Sequence, residues 1–386
     1  MEHFNVSKLA RIRKKMNKKI LIIGGKAWSI INFRGSLIKK LVEKGYEVTA
    51  VSSEATKSEL EKIKNIGASY IDIQLKSNTI SILKDIVYFL KLKRIIFKLN
   101  PNIIISYTMK PIVYSGLAIF FKKNINFFPL ITGLGNIFNT KKINLYPIKI
   151  ILILLCKIAL RNAKILIFQN NDNLQYFKKL KIAPKTKKII IEGSGVDIDY
   201  FNIEPFTNKN ITFLLIARLL KDKGIIEYIK AAKKIKSKIK NINFNLIGPK
   251  DASNNRVDFD YIKKNHNAKI INYLGFQKNV KPFIADSHVY VLPSYHEGLP
   301  RSVLEAMAMG RPIITTRVSG CKETVINNKN GFLIPCKNIN ILIEKMMWFI
   351  TNKKKILIMG QKSRNLVEEK FSSKKIDNEF IKLLSD

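Results

Sequence analysis

Residues 288–325 read HVYVLPSYHEGLPRSVLEAMAMGRPIITTRVSGCKETV, and the order strand, loop, helix, strand can be taken directly from them. Val289–Leu292 is a short apolar run of the kind a covered strand shows. Pro300 suits the start of a helix, Gly310 its C-terminal cap, and Pro312 prevents continuation. Val303, Leu304, Met307 and Ala308 fall on one helical stripe, which predicts the buried face. Pro312–Thr316 then supplies the next strand. Glu297 precedes the helix, and Glu305 lies on its second turn, away from that stripe. Free N–H groups at the helix start attract a phosphate, and carboxylates beside them can accept hydrogen bonds from hydroxyls. The competing reading is a surface helix in which Glu305 pairs with Arg301 one turn earlier.

The same alternation runs outward in both directions. Ile20–Ile23, Tyr46–Val51, Tyr70–Ile73, Ile103–Ser106, Phe127–Ile131 and Ile165–Phe168 read as strands. A helix is expected between the first two, from about Asn32 to Lys44. A second series follows: Ile211–Ala217, Asn245–Ile247, Ile270–Leu274, Val289–Leu292, Pro312–Thr316 and Gly331–Ile334. Ile225, Ile229, Ala232 and Ile235 mark a helix after its first strand. Alternating strands and helices imply parallel sheets. The 386 residues suit two domains. The polar stretch 203–210, with Pro205, reads as the linker. The division expected is a basic N-terminal extension (1–18), a first α/β domain (19–204), a second (205–370) and a C-terminal helix (371–386) packing back towards the first. Ligands of such sheets bind at the carboxyl ends of the strands, so a cleft between two doubly wound domains is the expected site.

Arg218 and Lys223 stand in the turn after the first strand of the second half. Two cations there can hold a diphosphate and stabilise it as a leaving group. Gly24-Gly25-Lys26 follows the first strand of the chain but lacks a full G-x-G-x-x-G, so it supports a dinucleotide site poorly. No Asp-x-Asp pair stands at a strand end (Asp258-Phe259-Asp260 lies in a polar stretch), so no metal is expected.

The chain carries 69 Lys and Arg against 28 Asp and Glu, a net charge of +41. That excess favours anionic partners, although abundant Lys, Ile and Asn also fit an AT-rich genome. Cys156, Cys321 and Cys336 have neither disulfide nor zinc spacing, which fits a reducing compartment. Residues 1–19 lack the apolar core of a signal peptide. The run Ile150–Cys156, bracketed by Lys149 and Lys157, is far short of the ~18 residues of a spanning helix. With Lys141 and Lys142 before it, this stretch suits either a membrane interface or a buried helix with solvated lysines.

Taken together, these motifs resemble the retaining glycosyltransferases of family four, whose Glu-x7-Glu pattern is matched by Glu297 and Glu305. The likeness is greatest to the bacterial subgroup that extends undecaprenyl-diphosphate-linked sugars, including α-1,3-N-acetylgalactosaminyl- and galactosyltransferases. It implies the GT-B fold and transfer from a UDP-sugar to a lipid-linked saccharide in O-antigen, capsule or protein-glycan assembly. By that resemblance Glu297 contacts donor-sugar hydroxyls, with Gly298 and Leu299 beside it, and Glu305 holds the ribose hydroxyls. Arg218 and Lys223 hold the diphosphate, and Gly24 and Gly25 form a loop near the donor phosphate. Arg34, Lys110 and Thr132 fall on the acceptor side. Many relatives carry His or Asp near Thr132 or Gly133, and this sequence does not. The departing diphosphate can take the acceptor's proton instead. His296 alone among the histidines lies inside a motif, where a structural role competes with a contact to the donor. The implied enzyme needs no cofactor or metal beyond its UDP-sugar, and is cytoplasmic, peripheral on the inner face of the plasma membrane against anionic lipid.

Two other classes remain at this stage. A nucleotide-sugar epimerase or hydrolase of similar fold would act without an acceptor, and the full 288–325 string argues against it. A nucleic-acid-binding protein is suggested by charge alone; no zinc finger, aromatic RNA-binding signature or helix-turn-helix supports it, and no nucleic-acid partner is expected.

Overall fold

The computed structural model describes residues 18–75, 81–134, 146–206 and 210–385. Residues 1–17 of the N-terminal extension, Lys141 and Lys142 lie outside the described residues. The chain forms two compact units, one of Met1–Ile191 with Asp377–Asp386 and one of Glu192–Ile376.

The first unit holds strands β1 (Lys19–Lys26), β2 (Glu47–Ser53), β3 (Ser69–Asp72), β4 (Ile103–Tyr107), β5 (Asn126–Ile131), β6 (Ile165–Phe168) and β7 (Lys187–Ile190). Helices α1 (Ala27–Glu43), α2 (Lys57–Asn65), α3 (Ile82–Leu99), α4 (Met109–Ala118), α5 (Tyr146–Ala159) and α6 (Asn171–Lys179) lie between them. The strands pair in parallel in the order β3-β2-β1-β4-β5-β6-β7. The order reverses between β1 and β4, so the helices divide between the two faces. One face packs Leu21, Ile23, Ile104 and Phe127 against Leu92 of α3, Ile112 of α4 and Cys156 of α5. Gly116 sets the spacing of α4 and α5, because a Cβ there would lie 2.1 Å from the Ala159 carbonyl oxygen.

The second unit holds β8 (Thr212–Ile216), β9 (Asn243–Ile247), β10 (Asn272–Tyr273), β11 (Val289–Leu292), β12 (Ile313–Thr316) and β13 (Gly331–Ile334). They form a parallel sheet in the order β10-β9-β8-β11-β12-β13. Its helices are α7 (Ile225–Lys236), α8 (Phe259–Asn267), α9 (Lys281–Ala285), α10 (Arg301–Ala308), α11 (Ile339–Thr351) and α12 (Lys353–Leu366). A last helix, α13 (Ser373–Ser385), starts in this unit and belongs to the first from Asp377 onward.

Three expectations shift. Helix α1 starts at Ala27, directly where β1 ends, and not near Asn32. The first unit gains a seventh strand, β7, whose two lysines and two isoleucines carry little pattern. The units divide at Ile191, ahead of the polar stretch 203–210. Residues 192–204 pack within the second unit: the Val196 amide donates to Phe371 O, and the Arg364 guanidinium donates to Ile198 O and Phe201 O. Val196 and Phe201 also bury their side chains in the second unit's core, but scattered apolar residues in a polar stretch form no strand or helix period that would mark it.

Candidate functional site

Helix α10 and the loop before it organise the site. Two hydrogen bonds close the helix, Gly310 N to Met307 O (3.0 Å) and Arg311 N to Ala306 O (2.9 Å). Gly310 supplies the left-handed φ of +74° that this ending requires. No side chain caps its N-terminus, where Pro300 precedes the first turn. Val303, Leu304 and Met307 are buried, as their spacing predicts.

Three segments of the second unit are braced against each other. The loop after β11 is tied to the turn after β8: Tyr295 N and Ser294 Oγ donate to the Asp222 carbonyl at 2.8 and 3.0 Å. Gly224 ends that turn at φ +70°, and a Cβ on it would lie 2.1 Å from Pro293 O. On the other side, Glu297 N donates to Ser319 O (3.1 Å). Gly320 (φ +80°) approaches so closely that a Cβ would stand 2.5 Å from the carbonyls of Glu297 and Gly298.

This bracing brings together residues distant in sequence. Lys223 Nζ donates to Glu297 Oε1 at 2.6 Å, and both side chains are largely buried. Arg301 Nε donates to Glu305 Oε1 at 3.0 Å, the pairing of the competing reading. Glu305 is nevertheless only 14% exposed, and burial pushes its carboxyl above the usual range, an effect Arg301 only partly offsets. Arg218, 56% exposed, donates from Nη1 to Asp251 Oδ2 at 3.1 Å. Burial opposes ionisation of Asp251, yet Ser253 and Arg218 together hold its carboxyl below the usual range. Gly298 lies in the half-buried loop, and Leu299 packs its side chain on Gly193.

Sequence reading missed several partners. Asp222 faces His296, with Oδ2 at 3.5 Å from Nε2. Its other oxygen, Oδ1, and Ser319 Oγ are buried without a hydrogen-bond partner. Tyr295 OH donates to Glu227 Oε1 at 2.6 Å. Asp222 sits inside the motif that carries Lys223, so its position was visible. Nothing in the sequence around Asp251 marks it.

Gly24, Gly25 and Arg34 are placed differently from expectation. Gly24 and Gly25 lie within β1 and form no loop. A Cβ on Gly24 would stand 2.3 Å from the Tyr107 ring, so this glycine makes room for an aromatic side chain. Arg34 is 2% exposed, with its guanidinium 5.4 Å from the centre of the Tyr107 ring and 5.7 Å from that of Phe380. It is an interior residue, which removes it from an acceptor-facing surface. Lys110 Nζ donates to Asp85 Oδ1 (2.7 Å), joining α4 to α3. Thr132 is half-buried just beyond β5. Among the described residues, no group of three His, Cys, Asp or Glu side chains is arranged to hold a metal.

Comparison with known proteins adds the chemical context. A family model described as Glycosyl transferase 4-like matches residues 19–170, and one described as Glycosyl transferases group 1 matches residues 197–366. The chain is 26% identical over 339 residues to the N,N'-diacetylbacillosaminyl-diphospho-undecaprenol alpha-1,3-N-acetylgalactosaminyltransferase of Campylobacter jejuni, covering 84% of this chain and 88% of that protein. It is 28% identical over 378 residues to the capsular polysaccharide biosynthesis glycosyltransferase CapM of Staphylococcus aureus, covering 92% and 94%. Anabaena HepE in complex with UDP superposes with a TM-score of 0.73 at 17% identity, covering 95% of this chain and 99% of that one, a likeness of fold.

Proposed function

The chain belongs to the glycosyltransferases of the two-domain GT-B type, and from that premise we propose that it moves a hexose or N-acetylhexosamine from a UDP-sugar to an undecaprenyl-diphosphate-linked saccharide. The anomeric configuration is retained, the bond formed is α-1,3, and no divalent metal takes part. The relatives support the acceptor class: the C. jejuni protein is named for an undecaprenol-linked acceptor and an alpha-1,3 bond. A structure of the same fold binds UDP. The reaction therefore runs against the inner face of the plasma membrane.

The observation that carries the reading is the Lys223–Glu297 pair at 2.6 Å. A donor diphosphate competes for the Lys223 ammonium, and its arrival frees the Glu297 carboxylate to accept hydrogen bonds from sugar hydroxyls. Arg218, largely exposed beside Asp251, supplies a second cation to the diphosphate. The buried, unpartnered Asp222 Oδ1 and Ser319 Oγ are two polar atoms that a filled site can satisfy. In the transfer step the acceptor oxygen bonds to the anomeric carbon on the face from which UDP departs. The bond between that carbon and the phosphate oxygen breaks with its electron pair going to UDP. A diphosphate oxygen takes the acceptor's proton while Lys223 and Arg218 balance the developing charge. Glu305, bonded to Arg301 on the second turn of α10, receives the ribose hydroxyls in this reading.

The test is a panel of UDP-sugars offered with undecaprenyl-diphosphate-linked acceptors, with products resolved by mass and linkage. One donor should give an α-linked product, and transfer should persist in chelator. Lys223→Met should lower kcat by about 10²-fold or more, the scale of losing one charge-stabilising group. Arg218→Ala, at an exposed side chain, should behave alike and melt as the parent does, whereas Lys223→Met, which leaves the largely buried Glu297 carboxylate unpaired, should melt lower while remaining folded. Near-parental turnover in both variants would remove the diphosphate role, and loss of activity in chelator would remove metal independence.

A further inference from the structure

Helices α3, α4 and α5 pack on one face of the first sheet, with α4 in contact with both neighbours. Each outer helix carries two apolar faces. On α3, Tyr88, Leu92 and Ile96 are buried, while Ile82, Leu83, Ile86, Val87 and Leu90 are exposed on another side. Leu83 is 79% exposed. On α5, Cys156 and Ala159 are buried, while Tyr146, Ile150, Ile151, Leu154 and Ile158 are exposed. Just after α4, Phe121 is 94% exposed, and Lys122 lies over the exposed Phe97 ring of α3 at 4.2 Å. One inward apolar stripe accounts for an ordinary surface helix. A second one, repeated on two helices of the same layer, calls for a partner.

Charge selects the partner. Lys84, Lys91, Lys93, Arg94 and Lys98 are exposed on α3, and α5 carries Lys149 and Lys157. The one acid on these two helices is Asp85, which is bonded to Lys110. A second copy of the chain would set these lysines against their own kind. Nucleic acid would match the charge and leave the apolar side chains in water. A bilayer with anionic headgroups satisfies both: the acyl boundary receives the isoleucines and leucines, and the lysines reach the phosphates. Among the described residues no helix is long and apolar enough to cross a membrane, so these helices lie in its surface.

We propose that the outer face of α3 and α5 is a lipid-docking surface that lays the first unit on an anionic bilayer. It deepens the reading of a lipid-linked acceptor, and rests on that reading for its purpose.

The full-length protein is floated with vesicles of phosphatidylcholine, alone or with phosphatidylglycerol. Partition should rise about ten-fold or more when the anionic lipid is present and fall with added salt. The quadruple variant Leu83→Glu, Leu90→Glu, Ile151→Glu, Leu154→Glu should lose flotation on both vesicles. Lys91→Gln, Lys93→Gln, Lys98→Gln should lose only the anionic increment. All the substituted side chains are exposed, and a thermal melt together with transfer to a short-chain, water-soluble acceptor checks the fold. Unchanged flotation of both variants overturns the proposal. So does a dimer, seen without vesicles, that the glutamate variant converts to monomer. A protein that transfers to the short-chain acceptor without binding vesicles refutes the surface alone. One that binds vesicles through this face and transfers to no acceptor refutes the enzymatic reading alone.

Discussion

At neutral pH the His288 imidazole is uncharged, because burial, and behind it Arg311 and Lys353, push its pKa down to about 4. The ring stacks on Phe206, with centroids 4.6 Å apart, and its Nδ1 accepts the Thr212 N–H at 3.2 Å. The folded value lies below the unfolded one of about 6.5, so the unfolded chain takes up the proton first. The contribution is therefore full above pH ~6.5 and is lost as pH falls towards 4, by about 3 kcal/mol at most. Urea unfolding of the parent at a series of pH values across that window should show the decline, and His288→Asn should flatten it while keeping an acceptor for Thr212. An equal decline in both proteins would assign the acid sensitivity to other groups. The same residue shows what a motif conceals. His288 opens the same stretch that holds His296, and although His296 alone falls inside a motif, nothing in the sequence marks His288 as the stacked, buried ring.

Elements show where spacing is informative and where it is not. Helix α10 was legible because its ends are chemical: Pro300, Gly310 and Pro312 each exclude an alternative backbone. The turn between β8 and α7 was legible in part, since Lys223 was visible but its pairing with Glu297 depends on close approach at Gly224. That approach is open to test. Alanine at position 224 must adopt φ +70° and place its Cβ 2.1 Å from Pro293 O. The left-handed conformation alone costs an L-residue roughly 1–2 kcal/mol, and the clash adds to it. Gly224→Ala should lower the melting temperature by several degrees and, because the turn must shift to relieve the 2.1 Å approach and carries Lys223 with it, raise the donor KM. Gly35→Ala is the contrast, because nothing lies within 4 Å of its Cβ inside α1; it should be neutral or stabilising by up to about 1 kcal/mol. An unchanged KM in Gly224→Ala would detach this turn from the donor. Gly24 poses a related difficulty. A glycine that makes way for a phosphate and one that makes way for the Tyr107 ring look alike in sequence.

For the whole chain, the division into two parallel-sheet units followed from the alternation of apolar runs with helical periods, but its exact position did not. Residues 192–204 join the second unit through a few buried side chains, Val196 and Phe201 among them, and through their backbone groups, while the expected return of the C-terminal helix to the first unit begins at Asp377 and not at 371. In α13, Phe380, Ile381 and Leu384 are buried, Ser36 donates a hydrogen bond to Asp377, and the Arg34 guanidinium lies over the Phe380 ring. Burying such side chains contributes about 1.5–3 kcal/mol each, so three together approach the 5–15 kcal/mol that stabilises a typical domain. Their removal also takes away the Phe380 ring that covers Arg34 and the Asp377 carboxylate bonded to Ser36. A chain truncated after Ile376 should therefore lose stability in the first unit selectively. Hydrogen exchange read by mass spectrometry should show β1 and α1 exchanging many-fold faster than in the parent, with β11 and α10 keeping their protection. Equal loss of protection in both sets would mean that the chain unfolds as one cooperative body, and unchanged protection of β1 would mean that α13 adds nothing to the first unit's core.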